Sequence, residues 1–214
     1  MYTLLLTAWL CLPLAPLNPV EQDTVSAMNL HFTAGVSSPT SILSTGPVFS
    51  AKWEMLAIHP VIIRSAIDYQ YGNFKNRTFR ILEDISEIKG NLHQFTFSAD
   101  VLYYRGTDRL TGYLGLGAIY TFGNLNFSSE TMSLLHDNYD IIDVSLQPQF
   151  GYRLTLGLRY QKVYSLEIAI LEIEPNFMVL YNTGLNTYSE VTQRTNFSGF
   201  KVSLGYLWTV KELW

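Results

Sequence analysis

Apolar residues recur at every second position through most of this chain. Met28, Leu30, Phe32, Ala34 and Val36 alternate with Asn29, His31, Thr33, Gly35 and Ser37, and Phe49, Ala51, Trp53 and Met55 alternate with Ser50, Lys52 and Glu54. Val61, Ile63, Ile67, Tyr69 and Tyr71 keep the same beat against Arg64, Asp68 and Gln70. Phe95, Phe97, Ala99, Val101 and Tyr103 then keep it against Gln94, Thr96, Ser98 and Asp100. A fifth stretch runs from Leu110 to Phe122, a sixth from Ile142 to Tyr160, a seventh around Leu166, Glu167 and Ile170, and an eighth from Phe200 onward. In the eighth, Val202, Leu204, Tyr206, Trp208 and Val210 form one row, and Lys201, Ser203, Gly205 and Thr209 the other; Leu207 is the exception. A period of two marks a strand with one wet and one dry face, and apolar residues do not return at the i+3/i+4 spacing of a helix. Eight strands are predicted.

The sixth stretch is nearly twice the roughly 9–11 residues a membrane strand needs. Either its upper half projects above the membrane, or a turn near Arg153–Thr155 divides it; a turn near Gln161–Val163 is the preferred end.

The connections alternate in length. Ser38–Thr45, Asn73–Gly90, Gly123–Tyr139 and Glu172–Asn196 are long, whereas Ala57–Pro60, Arg105–Arg109 and the break near Gln161 are tight. With both termini on one side, all long connections fall at one end of the molecule. Short periplasmic turns and long extracellular loops are the habit of outer-membrane barrels. The predicted class is therefore all-β, a transmembrane up-and-down antiparallel barrel.

The two faces divide the charges. Lys52, Glu54, Arg64, Asp68, Asp100, Asp143, Arg153, Glu167 and Lys201 all lie on the polar rows, and no charge interrupts the apolar rows before Glu212. In hydrocarbon every backbone amide needs an internal partner, so strands cross a membrane only as a closed barrel. The charged row must then face the lumen. Eight strands enclose just enough room for side chains, which predicts a plugged polar interior of paired charges. Tyr69, Tyr71, Tyr103, Tyr120, Phe122, Tyr206 and Trp208 fall toward strand ends, as interfacial girdles require.

Composition narrows the reading further. The 214 residues fit one domain, 14% of them aromatic, with 14 Tyr and 12 Phe, a surplus that suits a membrane wall. A net charge of -4 and the absence of a basic run give no support for a nucleic-acid partner. Residues 1–22 are uncharged and Leu-rich through Leu17 and turn polar at Glu21, and read as an export signal before a 23–214 barrel. No Lys or Arg n-region precedes the apolar run, so a single membrane anchor is the competing reading. The lone Cys11 lies inside this run, with Trp9 and Leu10 too bulky for a lipidation site, and the barrel region carries no cysteine for a disulfide or metal site.

The whole 23–214 region resembles the small eight-stranded OmpA/OmpX-type outer-membrane barrels. The eight alternating strands, the sorted loops and the aromatic terminus at Trp214 carry the likeness, as do the phrases Leu114-Gly115-Leu116-Gly117 and Pro148-Gln149-Phe150-Gly151-Tyr152. The resemblance implies a bacterial outer-membrane protein in contact with membrane lipid and lipopolysaccharide. It also implies recognition by the barrel-assembly machinery through Tyr206, Trp208, Val210 and Trp214. Members include anchors, adhesins, passageways and a few enzymes, so fold alone does not select a role.

Site chemistry is sparse. His31 reads as a lumen hydrogen-bonding residue and His59 as part of a turn. His93 stands near the rim, where Phe95 occupies the place a deacylase would give to serine. The expectation is a monomeric, non-enzymatic envelope or surface-interaction protein without a cofactor or metal. Two alternatives stand beside it: passage of small molecules or ions through the barrel, and a secreted lipocalin-like carrier with its faces inverted.

Overall fold

The computed structural model describes residues 28–39, 44–58, 60–74, 89–107, 109–174, 176–182, 188–194 and 198–210. Residues 1–22, the expected export segment with Cys11, lie outside the described residues, as do His59, most of the Asn73–Gly90 connection, Glu212 and Trp214.

Eight strands close on themselves: β1 (Met28–Pro39), β2 (Gly46–Ile58), β3 (Val61–Asn73), β4 (Gly90–Gly106), β5 (Leu110–Phe127), β7 (Gln149–Tyr160), β8 (Tyr164–Glu172) and β11 (Gly199–Val210). Every neighbouring pair is antiparallel, in the circular order β1-β11-β8-β7-β5-β4-β3-β2. The closing pair runs from Met28 opposite Val210 to Pro39 opposite Gly199, so the barrel has no free edge along its seam.

Side-chain direction follows the sequence parity. Phe97, Val101, Leu116, Phe150, Leu204 and Trp208 point outward and are exposed, whereas Lys52, Glu54, Arg64, Asp100, Arg153, Glu167 and Lys201 are buried inside. A soluble protein does not surround buried arginines with an exposed apolar belt; a transmembrane barrel does. The lipocalin-like arrangement, with apolar residues inside and charges in water, is not the one adopted.

The tight ends are built locally. Gln161 and Lys162 both take positive φ, 52° and 57°, between Tyr160 and Val163. The Val163 amide donates to the Tyr160 carbonyl at 3.1 Å. Two successive left-handed residues make the hairpin turn whose twist matches its strands. The preferred break near Gln161 is where the chain turns.

The long Ile142–Tyr160 stretch is two strands, not one. β6 (Ile141–Leu146) leaves the wall and joins β9 (Asn176–Asn182) and β10 (Tyr188–Arg194) in a separate sheet of order β10-β9-β6. Pro148, which has no amide hydrogen to give a ladder, stands between β6 and β7. The alternation simply continues through this departure, which is why period alone did not mark it. The predicted connections Gly123–Tyr139 and Glu172–Asn196 likewise hold structure: a helix, α1 (Ser129–Tyr139), and the β9–β10 hairpin.

α1 begins at Ser128, whose hydroxyl accepts from the Thr131 amide at 3.2 Å, and stops at Asp140 in the left-handed region. It packs with the separate sheet into a head over one end of the barrel. Leu135 of α1, Ile141, Val144 and Leu146 of β6, and Val179 of β9 meet Leu92, Ile119, Phe74 and Ile173 from the barrel side in one apolar core.

Candidate functional site

The middle of the lumen is filled by charged side chains from six strands. Lys201 on β11 donates to Asp68 Oδ2 on β3 at 2.8 Å, and Arg153 Nη1 on β7 donates to the same oxygen at 2.8 Å. Arg153 also pairs with Asp100 on β4, which receives Arg64 Nε from β3 at 3.0 Å. Arg64 Nη1 continues to Glu167 Oε2 on β8 at 2.6 Å, and Lys52 Nζ on β2 donates to Glu167 Oε1 at 2.5 Å. The result is one unbroken chain of alternating sign: Lys201, Asp68, Arg153, Asp100, Arg64, Glu167, Lys52.

Neutral groups take up remaining lone pairs and donors. Tyr113 donates to Glu167 at 2.9 Å, Arg153 Nη2 donates to Ser98 at 2.5 Å, and Lys201 reaches Ser50 at 3.4 Å. Glycines make the space. A methyl group on Gly117 would run into Asp100, and one on Gly157 would run into the Tyr113 ring. These positions stay bare because long side chains from neighbouring strands lie over them.

Below this chain a second group forms. Arg159 on β7 pairs with Glu54 on β2, and its guanidinium stacks over Tyr104 at 4.7 Å and Tyr113 at 5.2 Å from the ring centroids. His31 Nε2 and Ser165 Oγ are 2.6 Å apart, and His31 Nδ1 lies 3.8 Å from Glu54. The order Ser, His, Glu has the look of a nucleophile relay, but Ser165 and His31 are both buried against the wall, with Gly205 beneath them. A relay also needs a reacting atom within reach of the serine.

Eight of the nine charges expected in the lumen lie there: Lys52, Glu54, Arg64, Asp68, Asp100, Arg153, Glu167 and Lys201. Asp143 does not. It is exposed on β6, where the strand has left the wall and parity no longer refers to the barrel axis. Arg159 belongs to the lumen set and was missed, although it lies on the same polar row as Arg153. The lumen is also not polar throughout. Leu102, Tyr113 and Leu207 line it toward the tight turns, and Val48, Leu92 and Ile119 line it under the head. These residues also sit on the polar rows; Tyr113 keeps its hydroxyl on Glu167, and Arg159 lies nearer the turns than Tyr113.

The remaining predicted residues that the structure describes sit outside. Tyr206 and Trp208 point outward from β11 and are exposed, with Tyr206 against Tyr164 of β8 at 6.0 Å between ring centroids, and Val210 ends β11. His93 lies on the outer wall near the head, its Nδ1 2.8 Å from the Tyr69 hydroxyl.

Pairing in the wall is interrupted on the β7 side of β5. Pairing of β5 with β7 stops at Thr121 opposite Gln149, while β5 continues beside β4 to Phe127. From Phe122 onward, β5 has no wall neighbour on its β7 side among the described residues.

No family model matches the chain, and no curated protein matches it. Solved structures do. The outer membrane protein OprG from Pseudomonas aeruginosa superposes with a TM-score of 0.63 at 13% identity, over 86% of this chain and 97% of that one. A major outer membrane protein from Thermus thermophilus gives 0.54 at 15% identity, over 85% and 100%. The outer membrane protein AlkL, solved in lipid bilayers, gives 0.53 at 11% identity, over 88% and 93%. Together with the closed circular strand order, these place the chain in the fold of the small eight-stranded outer-membrane β-barrels.

Proposed function

We propose that this protein is a non-enzymatic integral protein of the bacterial outer membrane, in which a closed barrel anchors an ordered head at the cell surface. The observation that carries the reading is the seven-charge chain spanning the lumen, with the barrel joined to the head through the Leu92–Ile119–Leu135 core. A wet pore needs a continuous path for water, and interlocked charges with Leu102 and Leu207 toward one end and Leu92 and Ile119 toward the other support a closed lumen. The head, built from α1 and β6-β9-β10, is the part that meets partners outside. Lipid and lipopolysaccharide surround the belt, the chain acts as a monomer, and the assembly machinery recognises the terminal strand through its outward aromatic row.

The test is electrical. Purified protein inserted into planar bilayers should give no sustained ion conductance. Steady open-channel current from the unmodified chain would refute the closed-anchor reading.

A second reading has its own support. The missing β5–β7 pairs beyond Thr121, beside Pro148 and the apolar residues under the head, would suit sideways passage of small apolar molecules into the membrane. A disulfide joining β5 to β7 across the interruption, introduced after Thr121, would block uptake of an apolar probe under this reading and leave it unchanged under the first.

A further inference from the structure

Among the described residues the lumen charges do not balance. Lys52, Arg64, Arg153, Arg159 and Lys201 give five cations against the four carboxylates Glu54, Asp68, Asp100 and Glu167, all buried and all within the described residues. The surplus has a definite place. Arg159 and Glu54 form a pair of their own, so the excess belongs to the alternating chain, which carries a lysine at each end. A net charge enclosed by low-dielectric walls is strongly unfavourable unless a counter-charge accompanies it or one of the groups gives up its proton.

The two lysines lie over the same sector of wall. Lys52 reaches from β2 past β1 and β11 to Glu167 on β8, and Lys201 reaches from β11 past β1 and β2 to Asp68 on β3. Several inward positions of that sector are small: Thr33 and Gly35 on β1, Ser203 and Gly205 on β11, Ser50 on β2, with His31 and Ser165 lying over Gly205. Ser50 is bonded to Lys201, but Thr33 Oγ1 and Ser203 Oγ are buried without any hydrogen-bond partner. Ser203 stands directly opposite Glu167 and Gly35 in the register, and Thr33 opposite Ser50 and Gly205. Unsatisfied buried hydroxyls are uncommon in folded proteins and point to a missing acceptor or donor. Each ammonium also has a donor to spare, since Lys52 makes one bond and Lys201 two.

We propose that the lumen binds one small monovalent anion of the halide class between the Lys52 and Lys201 ammoniums, over the Thr33 and Ser203 hydroxyls. A spherical acceptor of single charge takes donors from any direction, restores neutrality to the chain and satisfies both hydroxyls. The ion is structural: it completes the plug, whichever role the head plays.

The experiment uses the full chain refolded into lipid vesicles with gluconate as the only anion, then titrated with sodium bromide at constant ionic strength. Above saturation, the unfolding constant should fall about tenfold for each tenfold rise in bromide, because the ion binds the folded state alone. Lys201→Met, which leaves four cations against four carboxylates, should show no such dependence. A wild-type barrel indifferent to bromide overturns the proposal. Should Lys201→Met not fold, crystals of the unmodified protein grown in bromide decide the matter. An anomalous peak between the two lysine nitrogens is expected, and a map without one, or with peaks only on the exposed surface, rules the site out.

Discussion

Arg64 and Glu167 stand on β3 and β8, diametrically opposite in the ring of eight strands, yet their side chains meet at 2.6 Å. The contact bridges the lumen from one wall to the opposite one. Arg159 and Glu54 repeat the relation from β7 to β2, also four strands apart around the ring. The lumen is therefore cross-braced by ion pairs in the way a soluble core is braced by interdigitated leucines.

Glu167→Gln tests that bracing. Glu167 receives both Lys52 and Arg64, and Arg64 keeps Asp100 while Lys52 keeps no carboxylate. Removing one member of a buried pair leaves an uncompensated charge and costs about 3–5 kcal/mol. Urea unfolding from lipid vesicles should register a loss of that size. The double variant Lys52→Met/Glu167→Gln should regain part of it, because the stranded ammonium is gone. A single-variant loss under about 1 kcal/mol would mean water already screens the network.

Leu116→Arg and Thr111→Arg separate the two faces of β5. Leu116 points outward at mid-wall and is 62% exposed, whereas Thr111 lies on the inward parity near the tight turn. A lipid-facing Arg at the bilayer centre costs about 2–4 kcal/mol, falling toward zero near the interface. Leu116→Arg should block refolding into vesicles, read by heat-modifiable gel mobility, and Thr111→Arg should refold. Equal failure of both would mean that outward and inward are wrongly assigned.

Most of the barrel was legible because its faces meet solvents of opposite kind, so polarity reports direction at every second residue. Phe97, Leu116 and Leu204 against Arg64 and Asp100 are the clearest cases, and all five point as their parity requires. The rule fails where a strand meets something other than lipid and lumen. β6 alternates as well as any wall strand, but its Val144 and Leu146 face the head core and its Asp143 faces solvent. Leu102, Ile119 and Tyr113 broke the alternation from inside the lumen for a different reason: a narrow barrel is filled by volume as well as by charge. Pro148 was the readable sign of the strand break, since no central ladder residue lacks an amide hydrogen.

Lys162→Gly should stabilise the protein. Gln161 and Lys162 both occupy the left-handed region, which costs an ordinary L-residue roughly 1–2 kcal/mol and glycine almost nothing. Against this stands the added freedom glycine gives the unfolded chain, about 0.5–1 kcal/mol. The net gain expected is about 0.5–1 kcal/mol, visible as a higher urea midpoint with an unchanged slope. A lower midpoint would show that the Lys162 side chain contributes more at this turn than its backbone strain removes.

Leu135→Ala asks whether the head and the barrel stand or fall together. Leu135 is fully buried where α1 meets β6 and the barrel rim, so truncation should cost about 2–5 kcal/mol at that interface. The wall's hydrogen bonds and lumen pairs do not pass through α1, and local units of a protein open separately when few contacts join them. Hydrogen exchange should therefore rise sharply in Ser129–Tyr139 and Ile141–Leu146 while β1, β3 and β11 stay protected. Limited proteolysis of vesicle-bound protein should cut the same segment and leave a protected barrel. Uniform loss of protection through the wall strands would instead make the head part of the barrel's own stability, and an anchor carrying a separable head would no longer describe the molecule.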